Sequence, residues 1–546
     1  MKTKAAALNF SIFVLGMSSI LTQIILLREF LTIFKGNELI TGLIISLWML
    51  LSGAGAYIGK FLATTSEKLT GAYILHILLG IIPVATIFLV VQIITGIYAY
   101  GEMLGLFDIF IISALLLAPY CIISGMLFTY YSEKISDGAN EIPKVYFLDS
   151  FGSIAGGLAF NFFLISFFTN YQSLAFIMAI NIAAAIFISF RMNAIFPKII
   201  AFGLIALFIL IFRADFEKFS AEKIYPGQEI LFLDDTPYGK IAVTESHQLN
   251  FYENGILLFS GEQVKQNEEA VHLPLMQRDD HENILLIGGG ASGKAGQILK
   301  YNPRGLDYVE INPALVNAAV KFTDNLETER INVITTDARI YVRNTKKKYD
   351  AVIIDAPDPG NARLNRYYTD SFFESLKRLL KRNGIISLSL NSSANYLSDE
   401  ELRLHSVIFK TLEKNFRNVI IVPQSKTYFI ASDGTLTMDY GRLLRKYDLD
   451  NKHINAYYLD EFSMQMRSDQ IRESLLENVS INRDFNPAAY REQLQYWMEL
   501  TGVNEMIIPL VLFLLLTVGI IFLRPVDKAL FAGGFTGALS QIIIII

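Results

Sequence analysis

The sequence predicts a multi-span α-helical membrane protein that carries a soluble α/β domain, made of a small β-hairpin subdomain and a doubly wound sheet. Three observations predict it. The 546 residues are 52% hydrophobic, above the about 45–50% of soluble domains. The apolar excess lies in long runs at 5–213 and 506–546, whereas 214–505 holds most of the charge. Within that middle region strand-like and helix-like segments alternate, and one strand leads into the glycine-rich turn "GGGASG" (288–293).

A helix needs about 20 apolar residues to cross a bilayer. Such spans fall near 8–27, 39–63, 71–98, 105–131, 146–168, 172–190 and 197–213, with two more near 506–523 and 529–546. The first run is too long, and too closely followed by others, for a cleaved signal peptide. Small residues recur in "LSGAGAYIG" (51–59) and "SFGSIAGG" (150–157), and small residues let membrane helices approach closely. The charges Arg28, Glu29, Asp108 and Asp149 fall near span ends, so no buried charged relay is expected. "GMSSILTQII" (16–25) and "GFTGALSQII" (534–543) align without gaps. They suggest that a second copy of the membrane module begins at 506–546, and that the sequence is a piece of a longer protein.

The middle region opens with alternating strands, "EILFLDDTPYGKIAVTE" and "QLNFYENGILLFSGE", in which "ENG" is a hairpin turn. Residues 229–262 are therefore a small antiparallel sheet. "NEEAVHLPLMQ" (267–277) reads as a short helix. Over 267–400 the alternation is regular. "NILLIGG", "GLDYVEIN", "INVITTD", "YDAVIIDAPDP" and "IISLSLNS" are strands. "KAGQILKY", "PALVNAAVKF" with proline at its start, and "TDSFFESLKRLLKRNG" closed by glycine are helices. Such alternation implies a parallel, Rossmann-like sheet, whose ligands bind beyond the carboxyl ends of its strands.

Four strand ends carry chemistry: Gly288, Gly289 and Gly290; Glu310; Asp337 with Ala338; and Asp355. Glycines let backbone approach a ligand closely. A carboxylate about 20 residues after such a turn can accept both hydroxyls of a ribose, which fits Glu310. Asp337 can accept from an adenine amino group. The turn does not have the spacing of a phosphate-binding lysine-serine loop. His76, His247, His272, His281, His405 and His453 are scattered without metal-ligand spacing, and no metal is expected; His272 reads as structural. The single Cys121 rules out a disulfide within the chain, and a net charge of −5 gives no argument for nucleic acid.

Over roughly 229–400 the order and spacing of the hairpins, "NEEAVHLPL", "GGGASG", "YVEINP", "TTDARIYV" and "YDAVIIDAPDP" resemble the spermidine synthase (polyamine aminopropyltransferase) family of the AdoMet-dependent transferase fold. The whole chain resembles its membrane-fused bacterial members. The resemblance implies an enzyme that moves an aminopropyl group from decarboxylated AdoMet to an amine. It implies that Glu310 holds the ribose, Asp337 and Ala338 hold the adenine, and Asp355 accepts the proton of the attacking amine, with Asp358 in the same loop. The co-substrate is then decarboxylated AdoMet or AdoMet, without metal. A small-molecule acceptor and the lipid bilayer are the expected partners, nucleic acid is not one, and a homo-oligomer is left open.

Departures stand at the amine half of the site. The family turn carries an aspartate for the donor's ammonium where this chain has Ala291. Gly239 replaces a glutamine and Asn267 a histidine or glutamine. "GNARLNRYY" (360–368) brings Arg363 and Arg366 near the site, where they would repel a dicationic acceptor. Tyr367 and Tyr368 either cover the pocket or belong to the core. Two alternatives to aminopropyl transfer follow. One is another AdoMet-type transferase, such as a methyltransferase, acting on an anionic or membrane-borne acceptor. The other is a nucleoside-sensing domain that regulates the membrane module.

Lys2, Lys4, Lys60, Lys68, Lys134, Lys144, Arg191 and Lys198 occupy alternate loops, which puts the N-terminus inside. Seven spans would then place the middle domain outside. AdoMet compounds are made in the cytoplasm, so the expectation is an inner-membrane protein with a cytoplasmic domain, the span count being off by one around 28–38.

Overall fold

The computed structural model describes residues 2–65, 70–135, 142–190, 203, 205, 207–209, 212–213, 215–261, 263–326, 329–392, 397–447, 449–455, 457–500 and 517. Most of the expected span at 197–213, both expected spans at 506–546 and the second copy of the repeat lie outside the described residues. For the residues described, the chain forms two compact units. One is built from Met1–Ser246 and Tyr252–Ile256, the other from His247–Phe251 and the described residues from Leu257 to Leu500.

The first unit holds α1 (Lys2–Ile33), α2 (Glu38–Thr65), α3 (Thr70–Ile97), α4 (Leu106–Ile135), α5 (Ile142–Ala159) and α6 (Asn170–Phe190). Six stretches along them are long and apolar enough to cross a membrane: Ala6–Ile33, Glu38–Lys60, Gly71–Ile97, Leu106–Lys134, Pro143–Phe167 and Asn170–Ser189. The fifth stretch continues past α5 through a π-helical turn at Phe160–Leu164. Residues 28–38 hold the end of α1 and the start of α2, and no separate segment inserts there. The small residues serve packing. A Cβ on Gly152 would lie 2.1 Å from the Phe13 carbonyl oxygen, and one on Gly55 2.2 Å from that of Ile122. α1 therefore touches α5, and α2 touches α4, backbone to backbone.

α7 (Phe216–Ile224) precedes a hairpin of β1 (Glu229–Asp235) and β2 (Lys240–Glu245) in the same unit. Here the structure buries one of the charges that the sequence places near a span end. Glu29, near the end of α1, is only 4% exposed and receives the Lys240 ammonium at 3.1 Å. Glu217 of α7 takes the same ammonium at 2.9 Å, Asp235 lies 3.9 Å from it, and Asn170 also donates to Glu29 at 2.5 Å. These three carboxylates stand close enough together to hold a cation, and the cation they surround is a lysine from the hairpin. Burial first, then the charges of Asp235 and Glu29, push the Glu217 carboxyl up to about 7 against the pull of Lys240. Sequence spacing could not reveal this, because the four residues come from three distant segments.

β3 (Leu249–Glu253) and β4 (Ile256–Ser260) follow, joined at Asn254 and Gly255, both with positive φ, as the "ENG" turn requires. The second unit then builds α8 (Val264–Leu275), β5 (Asn283–Ile287), α9 (Lys294–Leu299), β6 (Gly305–Glu310), α10 (Pro313–Phe322), β7 (Ile331–Thr335), α11 (Ala338–Asn344), β8 (Tyr349–Ile354), α12 (Asp370–Leu379), β9 (Leu380–Leu390), α13 (Asp399–Asn415), β10 (Asn418–Pro423) and β11 (Thr427–Ser432). The sheet order is β10-β11-β9-β8-β5-β6-β7. The strands β9, β8, β5, β6 and β7 run parallel, as the sequence predicts, whereas β10 and β11 add an antiparallel edge. The sheet is thus mixed.

Period-two side-chain placement feeds cores on both faces. Ile386, Ile421, Phe429 and Ala431 enter one, while Ile385, Val422, Tyr428 and Ile430 enter the other. The helix expected to run to Gly384 stops at Leu379. Leu380 already pairs with Tyr349, and the register then slips before Ile385 pairs with Ala351. Lys381 sits in that bulge and bonds the fully buried Asp350 at 3.0 Å and Glu282 at 2.7 Å. Tertiary pairing with β8 overrides the helical pattern of "SLKRLLKRNG".

Two glutamates of α8 anchor the later chain. Glu268 accepts from the backbone N–H groups of Lys452, His453 and Ile454 at 2.9, 2.7 and 2.9 Å. Glu269, fully buried, accepts from the Tyr458 hydroxyl at 2.6 Å and the Ser425 N–H at 3.2 Å. Burial alone would raise the Glu268 carboxyl, but the three N–H donors hold it below its ordinary value. Its stabilisation is therefore present above the unfolded value of about 4.3 and is lost as pH falls through the lower folded value. Glu268→Ala should cost about 1.5–3 kcal/mol, the size of hydrogen bonds to a charged group. Thermal melts of the full chain in detergent at pH 7 and pH 4 should show a destabilisation that shrinks at the lower pH.

Candidate functional site

The carboxyl ends of β8, β5, β6 and β7 adjoin in that order, so one edge gathers Asp355, the glycine turn, Glu310 and Asp337. The turn after β5 has Gly288 and Gly289 at φ +72° and +67°, a short 3-10 turn over Gly290–Ser292, and Gly293 at φ +101°. A Cβ on Gly289 would lie 2.0 Å from Asp355 Oδ2, and one on Gly290 2.7 Å from the Tyr308 ring. The glycines are required because β8 and β6 end directly against the turn. Asn267 Nδ2 donates to the Ser292 carbonyl at 2.7 Å, and Asn325 Nδ2 to that of Ala291 at 2.8 Å. The turn is pinned from both sides. Asn267, a departure from the family pattern, clamps this backbone.

Glu310 ends β6 and is 8% exposed. Its Oε1 accepts from the Ile311 and Asn312 N–H groups at 2.8 and 3.1 Å, and its Oε2 from the Tyr308 hydroxyl at 3.1 Å. Asp337 caps α11, its Oδ1 accepting from the Arg339 and Ile340 N–H groups at 2.8 and 3.1 Å. Its Oδ2 receives Arg366 at 2.6 Å. Arg366 is thus spent on Asp337, which corrects its expected role of repelling an acceptor. Ala338 opens α11 and is 3% exposed. Tyr368 belongs to the core, with its hydroxyl donating to the Ala356 and Pro357 carbonyls at 3.0 and 2.9 Å. It braces the loop that carries Asp355 and Asp358. Tyr367 stands among the charges of Asp337, Arg366, Arg363 and Glu310, and burial first, then Asp337, push its hydroxyl up to about 12.

Lys294, which no sequence motif marks as a site residue, bonds Asp355 Oδ2 at 2.8 Å and Ser292 Oγ at 3.1 Å. Burial alone would raise Asp355, but the ammonium groups of Lys294 and Lys426 outweigh it and hold the carboxyl below its ordinary value. Asp358 goes the other way. Burial raises it, against the Asn391 N–H and Nδ2 donors at 3.1 and 3.0 Å. Two carboxylates in one loop therefore titrate apart, as acid–base sites require. The signal for Lys294 was the cation three residues after Ala291 in "GGGASGK", directly after Gly293 at φ +101°. His272 is structural, as expected. It is fully buried between Tyr301 and Gln297, each 3.1 Å away, and burial first takes it down to about 4.

The edge defines a class: a Rossmann-like domain whose glycine turn and strand-end carboxylates suit a nucleoside-bearing ligand. The spermine/spermidine synthase domain model matches residues 264–436. A polyamine aminopropyltransferase of Prochlorococcus marinus is 30% identical over 203 residues, which cover 35% of this chain and 68% of the relative. Polyamine aminopropyltransferase 1 of Streptomyces coelicolor is 27% identical over 284 residues, covering 47% of this chain and 53% of the relative. A solved spermidine synthase in complex with a transition-state analogue aligns with a TM-score of 0.40 at 20% identity, over 45% of this chain and 88% of that one. The chain belongs to the spermine/spermidine synthase family. It spans about half the length of the Streptomyces relative.

Removing the Lys294 charge should weaken the pull that opposes burial at Asp355. Lys294→Met is expected to raise the Asp355 titration relative to the unaltered protein, with Lys426 as the remaining opposing charge. Infrared titration of the carboxyl band, with Asp355→Asn as the subtraction control, reads that shift.

Proposed function

We propose that this chain is a membrane-anchored transferase of the spermidine synthase type, moving the amine-bearing three-carbon arm of an AdoMet-type sulfonium to an amine acceptor. One observation carries the reading: in a chain of this family, the turn and the carboxylates Glu310, Asp337 and Asp355 stand at four adjoining strand ends. Glu310 takes the ribose hydroxyls, Asp337 and Ala338 take the adenine, and Gly288, Gly289 and Gly290 let the backbone lie against the nucleoside. The bound sulfonium, decarboxylated AdoMet in the family's reaction, supplies a carbon whose bond to sulfur breaks with the electron pair going to sulfur.

The two aspartates divide the remaining work. Asp355, held anionic by its lysine partners, orients the ligand's ammonium. Asp358, whose carboxyl is raised, is the better matched proton acceptor for the attacking nitrogen. The six apolar helices anchor the enzyme in an inner membrane, and the donor's place of synthesis puts the second unit in the cytoplasm.

Calorimetry on the full chain with methylthioadenosine, the part common to both donors, tests the nucleoside site. Glu310→Ala should weaken that binding by roughly 1.5–3 kcal/mol; no binding by the unaltered protein sinks the reading. Asp358→Asn should lower turnover by roughly 10²–10⁴-fold while methylthioadenosine binding stays unchanged. For sidedness, a reporter fused after Asp215 should give fluorescence from a fluorescent protein and little activity from alkaline phosphatase. High phosphatase activity would place the domain outside.

A further inference from the structure

The corner where β5 and β8 end contains a buried cation. Lys294 is 7% exposed. Its ammonium touches Asp355 Oδ2 at 2.8 Å and Ser292 Oγ at 3.1 Å. An ammonium donates three hydrogens, and these two acceptors are its partners among the described residues. The third donor remains for a ligand. Lys426 adds a second positive charge felt by both Asp355 and Asp358. Lys294 and Lys426 both act on Asp355, and the feature the corner offers is an ion pair, with carboxylate and ammonium side by side.

A ligand that carries only an ammonium meets that pair badly. It must compete with Lys294 for Asp355, and its like charge lies within a few ångströms of the lysine, where repulsion is strong in a partly desolvated site. A ligand that carries an ammonium and a carboxylate on one carbon meets it well. Its ammonium faces Asp355 while its carboxylate takes the open hydrogen of Lys294. The buried side of the turn supplies no competing charge, since Ala291 is 1% exposed and apolar.

We infer that Lys294 selects a donor that keeps its α-amino acid carboxylate, AdoMet itself, over the decarboxylated compound. The assignment rests on the nucleoside site proposed above and specifies the donor for that same site. The transfer stays balanced. The acceptor nitrogen bonds the carbon next to sulfur, the carbon–sulfur bond breaks with its pair going to sulfur, neutral methylthioadenosine leaves, and the proton of the nitrogen passes to Asp358. The arm transferred then carries a carboxyl group.

Isothermal calorimetry on the full chain in detergent, with methylthioadenosine, AdoMet and decarboxylated AdoMet as the three probes, tests the assignment. Wild type should bind AdoMet at least about tenfold more tightly than decarboxylated AdoMet, a difference of about 1.4 kcal/mol. Lys294→Met should bring the two affinities to within about threefold and leave methylthioadenosine unchanged, and Lys294→Arg should restore a preference for AdoMet. Equal or tighter binding of decarboxylated AdoMet by wild type overturns the donor assignment while leaving the nucleoside site standing. So does a preference that survives Lys294→Met. Failure of wild type to bind methylthioadenosine overturns both.

Discussion

The second unit turns on one steric constraint: the chain after β5 must pass between the ends of β8 and β6 with no side chain in the way. Asp355 Oδ2 stands where a Cβ of residue 289 would be, and the Tyr308 ring where one of residue 290 would be. Because the backbone lies so close, the charged ends of neighbouring strands converge on one small edge. The same closeness lets Lys294, at the start of α9, reach back to Asp355. Helix start, turn and the loop after β8 are thus fixed by one another, and Asn267 and Asn325 hold the turn from outside.

That edge is built almost wholly from charges whose partners are already in place. Glu310 takes backbone N–H groups and a tyrosine, Asp337 takes a helix N-terminus and Arg366, Asp355 takes Lys294, and Asp358 takes Asn391. Each arrangement lowers the cost of burying a carboxylate and fixes its orientation before a ligand arrives, which is the preorganisation that group transfer uses. A ligand must therefore share or displace existing contacts. Its charge pattern matters more than its net charge, and an ion pair reads a zwitterion differently from a lone cation.

The first unit solves a similar problem differently. Near the end of α1, Glu29 would be an unpaired buried carboxylate in an apolar helix. Lys240 from the hairpin and Asn170 from α6 supply its partners, and Glu217 and Asp235 share the lysine. Removing the lysine would leave three carboxylates facing one another, so the cluster ties hairpin, α1, α6 and α7 together within that unit. The tight α1–α5 and α2–α4 crossings at glycine positions do the same by packing.

The sequence by itself determined the features that depend on local periodicity and local backbone demands. These are six helices long and apolar enough for a membrane, the parallel strands from β5 to β9, the glycine turn, and the placement of Glu310, Asp337 and Asp355 at strand ends. A period of two or 3.6 residues and a turn that tolerates only glycine can be read within a short window. Tertiary structure alone decided which charges meet. Lys294 with Asp355, Arg366 with Asp337, and Lys240 with Glu29 and Glu217 are contacts whose partners are separated by 23 to 211 residues along the chain. It also ended α12 at Leu379, because pairing with β8 outweighs a helical pattern, and it added the antiparallel edge of β10 and β11. Coulombic partners depend on distance through space, which no spacing along the chain encodes, and so the chemistry of the amine half of the site became legible only when the strands were placed side by side.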